Sequence, residues 1–160
     1  MILLVAALIA VAVPAAIIIS SGSAGQQRGV QTIVLVARDA GSSFSFIDQR
    51  PLQGGGDDEV PTAGDSFAGS QKLFTTAGER VGTLDFHCTL VTGGVNPRSV
   101  CTGAYGLAAG TIMVVATFPG NQRPIRIAVV GGAGAYEGAR GSATTRDRKD
   151  GTLDTIRLLP

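Results

Sequence analysis

Along most of this chain polar and apolar residues alternate at every second position, or short apolar runs are stopped by Gly, Pro, Asn or Asp. Past the N-terminal segment, no sustained stretch keeps the 3.6-residue spacing of an amphipathic helix. The pattern predicts strands over residues 31–39, 43–48, 67–76, 79–91, 98–108, 110–118, 124–132, 140–147 and 152–159. That makes eight or nine strands in an all-β domain. The connections "PGNQR" (119–123) and "RKDG" (148–151) are tight, so neighbours in sequence are expected to pair as an up-and-down meander. The exception is "QRPLQGGGDDEVPTAGDS", a long polar stretch between Asp48 and Phe67, which at this length is functional or mobile.

A meander of this size must hide its edges, and closing into an eight-stranded antiparallel barrel does so completely. At eight strands the interior holds side chains or one small ligand. Alternation says which residues line it. Over 79–91, Leu84, Phe86, Cys88 and Leu90 share one face and Thr83, Asp85, His87 and Thr89 the other. The apolar set is expected inside, so Asp85 and His87 form a solvated outer face. By the same rule Tyr105 and Leu107 share the Cys101 face, and Ile125, Ile127 and Val129 point inward with Arg126 outward. Leu84, Phe86, Tyr105 and Ile127 are therefore candidate ligand contacts.

Composition narrows the picture. With 160 residues, 44% of them hydrophobic and 16% charged, the chain is sized for one core. Thirteen basic against twelve acidic residues, with no basic cluster interleaved with aromatics, argue against nucleic acid as a partner. The uncharged run Ile2–Ile19, broken by Pro14 and followed by "GSA" at 22–24, reads as a signal peptide over 1–24, with the barrel domain over 25–160. An uncleaved membrane anchor is the alternative, and only then would the protein associate with a membrane. Either way the domain is expected outside the cytoplasm, and with cleavage as a secreted, extracellular protein.

In that setting the two cysteines are expected to pair. The turn cluster "TGGVNP" lies between Cys88 and Cys101, and a hairpin centred between Gly94 and Val95 puts them directly opposite. Opposed residues approach to about 4.5–5.5 Å between Cα atoms, within disulfide reach. A structural bridge is the first reading and a reactive thiol the second. Two cysteines and a single histidine, His87, do not make a four-ligand metal site, and no motif calls for a cofactor.

Five glycines crowd "VVGGAGAYEGARG" (129–141). A dinucleotide fingerprint would place its third glycine one position before Gly138 and open a helix, whereas the following segment reads as strands. A bulge or sharp bend at a barrel corner fits better. The same residues resemble the C-terminal signature of dirigent proteins and the related allene oxide cyclase barrels, through Gly131, Gly132, Gly134, Tyr136, Ala139, Arg140 and Gly141. "GDSFAGSQKLFTTAGERVGTLDFHCTL" resembles a cyclase segment, and "FIDQRPL" is similar to the dirigent I-D-D-P-L. The resemblance runs from about Asp48 onward. It implies an eight-stranded barrel with an apolar lumen, often assembled as a homotrimer.

It also implies chemistry. In the cyclases an unstable epoxide is folded in the lumen and polar groups guide its ring closure. Gln71 stands where they carry a lumen asparagine, and Cys88 where they carry a lumen cysteine. Arg126 and Glu137 depart from the plant dirigent pattern, which has an acid and a basic residue there. Alternation and motif together give Asp48, Asp154 and Arg140 as candidate catalytic groups, and Gln71 as a further ligand contact. An inward carboxyl group in an apolar lumen ionises less readily and so serves as general acid or base. Three classes of function stay open: a barrel that steers cyclisation or coupling of a small apolar metabolite, a carrier of such a molecule, and a structural or defence-related barrel filled by side chains.

Overall fold

The computed structural model describes residues 29–49 and 60–160. The expected signal peptide over 1–24 and most of the long polar stretch lie outside the described residues. Eight strands follow one another: β1 (Gln31–Ile47), β2 (Ser66–Phe74), β3 (Arg80–Leu90), β4 (Arg98–Leu107), β5 (Gly110–Pro119), β6 (Ile125–Gly134), β7 (Gly141–Arg148) and β8 (Gly151–Leu158). Each pairs antiparallel with its neighbours in sequence, and β1 closes on β8, giving an up-and-down barrel. Nine expected stretches become eight strands because 31–39 and 43–48 are one strand. Its register with β2 shifts between Arg38 and Ser43, where four residues face a single one.

Register carries the inward face from strand to strand. One lumen row runs Gln71, Leu84, Tyr105, Ile112; another runs Leu35, Asp154, Thr145, Ile125. The lumen divides into two halves along its length. At one end Leu73, Ile112, Ile156, Leu158, Val129 and Leu35 pack a closed core, with Tyr136 and Ala139 against it. At the other end phenylalanines stand among small inward groups such as Gly103 and Ala116, and a cavity remains between them.

The glycine run shapes the packed end. Met113 pairs with Gly131 while Val114 pairs with Val129, so Val130 is a bulged residue in β6. A Cβ on Gly132 would meet the Tyr136 carbonyl oxygen at 2.2 Å and that of Thr111 at 2.7 Å, so only glycine lets the chain fold back there. Gly134, at φ 66°, then starts the turn that carries Tyr136 over the end of the barrel. The glycines make a corner, as their context requires.

In the open half, Cys88 and Cys101 pair across β3 and β4 and form the expected disulfide, with Cα atoms 4.0 Å apart. A closed loop of this size contributes about 3 kcal/mol.

Candidate functional site: an apolar cup floored by a tyrosine and an aspartate

The open half encloses a cavity of about 280 Å³, at the small end of the range for ligand pockets. Its wall is built by alternation: Phe67 of β2, Leu84 and Phe86 of β3, Val114 and Phe118 of β5, and Ile127 of β6 all turn inward. Of the six phenylalanines in the sequence, only Phe74 lies away from this half. The Phe67 ring lies 5.7 Å from Phe44 and 6.4 Å, edge-on, from Phe86. Edge-on and tilted contacts of this kind stiffen the wall. The disulfide is part of the same wall, its two cysteines buried between these rings and Ala116.

Polar groups gather at the floor. The Tyr105 hydroxyl donates to Asp154 Oδ2 at 3.0 Å, and Thr152 Oγ1 donates to Asp154 Oδ1 at 3.2 Å. Tyr105 and Asp154 are both fully buried. Tyr105 is on β4 and Asp154 on β8, opposite staves of an eight-stranded barrel, so their hydrogen bond crosses the lumen. Below it lies the packed core; above it lies the cavity, which Tyr105, Thr145 and Thr152 touch.

Burial pushes the Asp154 carboxyl above the ordinary aspartate range, against the opposing pull of hydrogen bonds from Thr145, Tyr105 and Thr152. The Tyr105 phenol is pushed up by burial and by the carboxylate beside it, so it stays a hydrogen-bond donor at any physiological pH. The floor therefore presents hydroxyl groups backed by a carboxyl that resists ionisation. At the mouth, Arg123 lines the cavity and its Nε donates to Asp147 Oδ2 at 2.9 Å in an exposed ion pair.

A second buried aspartate, Asp65, sits at the rim with a different environment. Its Oδ2 accepts from the Thr62 backbone N–H at 2.7 Å and its Oδ1 from the Gln49 N–H at 2.8 Å. These donors, the Thr62 bond first, hold its carboxyl below the ordinary range. It ties the ends of the segment between β1 and β2 to the barrel.

The structure brings Gln71, Leu84, Phe86, Tyr105 and Ile127 together on one cavity wall, with Asp154 immediately behind the floor. Asp48 and Arg140 stand elsewhere. β1 ends at Ile47, so strand alternation stops before Asp48, which lies half-buried at the rim with one carboxylate oxygen sealed and unpartnered among the described residues. Arg140 is exposed at the packed end, where its guanidinium donates to the Pro160 carbonyl beside a separate polar hollow of about 190 Å³. Thr145, Thr152, Phe67, Phe118, Val114 and Arg123 are among the contacts that sequence reasoning missed. The inward parity of 152, 154 and 156 would have found Thr152, and the pairing of Thr145 with Asp154 needs the register of β7. Asp85 and His87 point outward, as expected, and no cluster able to hold a metal occurs among the described residues.

No protein-family model matches the sequence. No curated protein matches it either. Solved structures do match the fold. A pyocyanin demethylase superposes with a TM-score of 0.66 at 22% identity, over 80% of this chain and 99% of that one. A pterocarpan synthase dirigent protein gives 0.61 at 15% identity, over 83% and 95%. An exo-specific intermolecular Diels–Alderase gives 0.58 at 13%, over 81% and 98%. The fold is thus that of the dirigent and cyclase barrels, the class that the glycine-rich signature resembles.

Proposed function

We propose that this barrel binds a small apolar metabolite in the open half of its lumen and steers its cyclisation or coupling. The observation that carries the reading is the floor: an apolar cup ends on a buried, hydrogen-bonded Tyr105–Asp154 pair, and burial pushes that carboxyl above the ordinary aspartate range. A rigid aromatic wall holds a flexible substrate in one folded conformation, which removes much of the entropic barrier to ring closure. The hydroxyls of Tyr105, Thr145 and Thr152 donate their hydrogen bonds to Asp154 at rest; where charge develops on a substrate oxygen, one of them turns its O–H to that oxygen and takes the carboxyl's proton in exchange, so Asp154 is the source of the proton. Asp48 and Arg140 have no part in this reading, because neither faces the cup.

The named activities of the structural neighbours, a [4+2] cyclase and a dirigent synthase among them, support a reading in which the barrel controls the course of a reaction. A carrier would need the cup but not a buried carboxyl hydrogen-bonded at its floor. The proposal includes export: cleavage before Gly25 would leave the domain in an oxidising compartment, which suits the disulfide.

The test is native mass spectrometry of the protein after exposure to an extract of its producing cells, followed by incubation of the captured molecule with wild type and Asp154→Asn. A bound small molecule that wild type converts to an isomer or coupled product and Asp154→Asn leaves unchanged is the expected result. Binding without conversion by either protein would leave the carrier, and no binding at any stoichiometry would leave the structural role.

A further inference from the structure

The disulfide is a staple and a part of the cup at once, and its two ends have different neighbours. Register sets one inward row across four strands: Phe67 opposite Cys88, Cys88 opposite Cys101, and Cys101 opposite Ala116. All four residues line the cavity. The S–S bond runs along this row from β3 to β4, so its Cys88 end is backed by the Phe67 ring and its Cys101 end by the single methyl group of Ala116. Both cysteines are buried, and the strands that carry them cover the outside. The way to either sulfur is through the cup.

The rung itself is free to open. The Val91 N–H donates to the Arg98 carbonyl at 2.8 Å. Opposed pairs alternate along an antiparallel ladder between hydrogen-bonded and non-hydrogen-bonded, and counting back from Val91 and Arg98 puts Cys88 and Cys101 at a non-hydrogen-bonded pair. Their Cα separation of 4.0 Å belongs to the closer of the two spacings. Breaking the S–S bond therefore breaks no backbone bond at that rung, and β3 stays paired to β2 and β4 to β5. Attack on a disulfide needs a thiolate in line with the S–S bond, behind the sulfur that is struck. Behind Cys88 that line is filled by Phe67; behind Cys101 it passes over Ala116 into the cavity. We propose that the bridge is a thiol–disulfide exchange site entered through the cup, at which a small thiol attacks Cys101 Sγ. The incoming thiol leaves its proton with water and its sulfur bonds Cys101 Sγ. The S–S bond breaks, and Cys88 Sγ departs as a thiolate that takes a proton from water. The ligand class is a low-molecular-weight thiol that fits a cup of about 280 Å³, held covalently on the wall.

Dithiothreitol is the probe, because after the first exchange its second thiol closes its own ring and leaves both cysteines reduced. Opened protein is counted by mass after acid quenching. In sub-denaturing urea the opening rate of the unaltered protein is expected to stay flat, whereas opening by way of global unfolding climbs steeply with urea. Ala116→Leu, which fills the approach to Cys101, is expected to slow opening severalfold, and Phe67→Leu, behind the other sulfur, to leave it unchanged. A rate that climbs with urea, or equal rates in Ala116→Leu and the unaltered protein, or equal slowing by both variants, would overturn the proposal. Should Ala116→Leu fail to fold, the urea series on the unaltered protein decides by itself. None of these outcomes involves Asp154 or the conversion of a guest, so the reading of the floor stands or falls separately.

Discussion

The two halves of the lumen are built by the same strands with the same alternation, yet one is a core and the other a vessel. At the packed end the inward residues are bulky and meet across the axis: Leu73, Ile112 and Ile156 have no exposed surface at all. At the open end Gly69 pairs with Phe44 and Phe86 and Gly103 pairs with Phe86 and Val114, and a cavity is left along the axis. The comparison teaches that an eight-stranded barrel is neither hollow nor solid by architecture. Side-chain volume, row by row, decides where the core stops, and here it stops at Tyr105 and Asp154.

Substitutions should read the two halves differently. Ile156→Ala at the packed end should cost about 2–5 kcal/mol in urea unfolding, because the sealed core cannot collapse onto the space left. Tyr105→Phe at the boundary should cost less, about 1–3 kcal/mol, by leaving Asp154 short of one donor. Phe118→Ala in the wall of the cup should cost only about 1 kcal/mol, since the residue is half-exposed already, while weakening capture of the lumen ligand severalfold. Equal destabilisation by Ile156→Ala and Phe118→Ala would erase the distinction between core and vessel.

The smallest effect is the most specific, because the two buried aspartates carry opposite signs. Asp154 has its folded value raised above the ordinary 3.8, so the unfolded chain loses that proton first as pH rises. Its contribution is fully present below 3.8 and is lost as pH climbs through the folded value. Asp65 has its folded value lowered, so its contribution is present above 3.8 and lost as pH falls through the folded value. In Tm measurements from pH 3 to 8, Asp154→Asn should flatten the decline on the alkaline side, and Asp65→Asn should flatten the decline on the acid side. A decline on the alkaline side unchanged in Asp154→Asn would show that the floor carboxyl ionises as freely as one in water.

Much of this was legible in the sequence for a definite reason. Period-two alternation fixes facing, so Leu84, Phe86, Tyr105 and Ile127 could be placed inside before any pairing was known. The cysteine pairing followed from a turn centre alone, because antiparallel partners about a turn have a constant sum of residue numbers. What alternation cannot supply is depth along the axis and contact across it. The bond between Tyr105 and Asp154 joins strands far apart in order, and only closure brings them together. Extrapolation past a strand end misleads for the same reason, as Asp48 shows beyond Ile47. Arg140 illustrates a further limit: a glycine signature reports how the backbone turns a corner, and the arginine within it lines a separate hollow at the packed end rather than the cup.

The bond between Tyr105 and Asp154 has a mechanical consequence. It ties opposite staves of the barrel, so roundness of the cross-section and depth of the cup are one property. A guest slightly too long cannot be met by gradual stretching of the wall; it must either stop at the tie or break it and admit itself to the level of Ile112. Affinity across a series of guests of increasing length should therefore fall as a step, with the length at which the step occurs set by a single hydrogen bond.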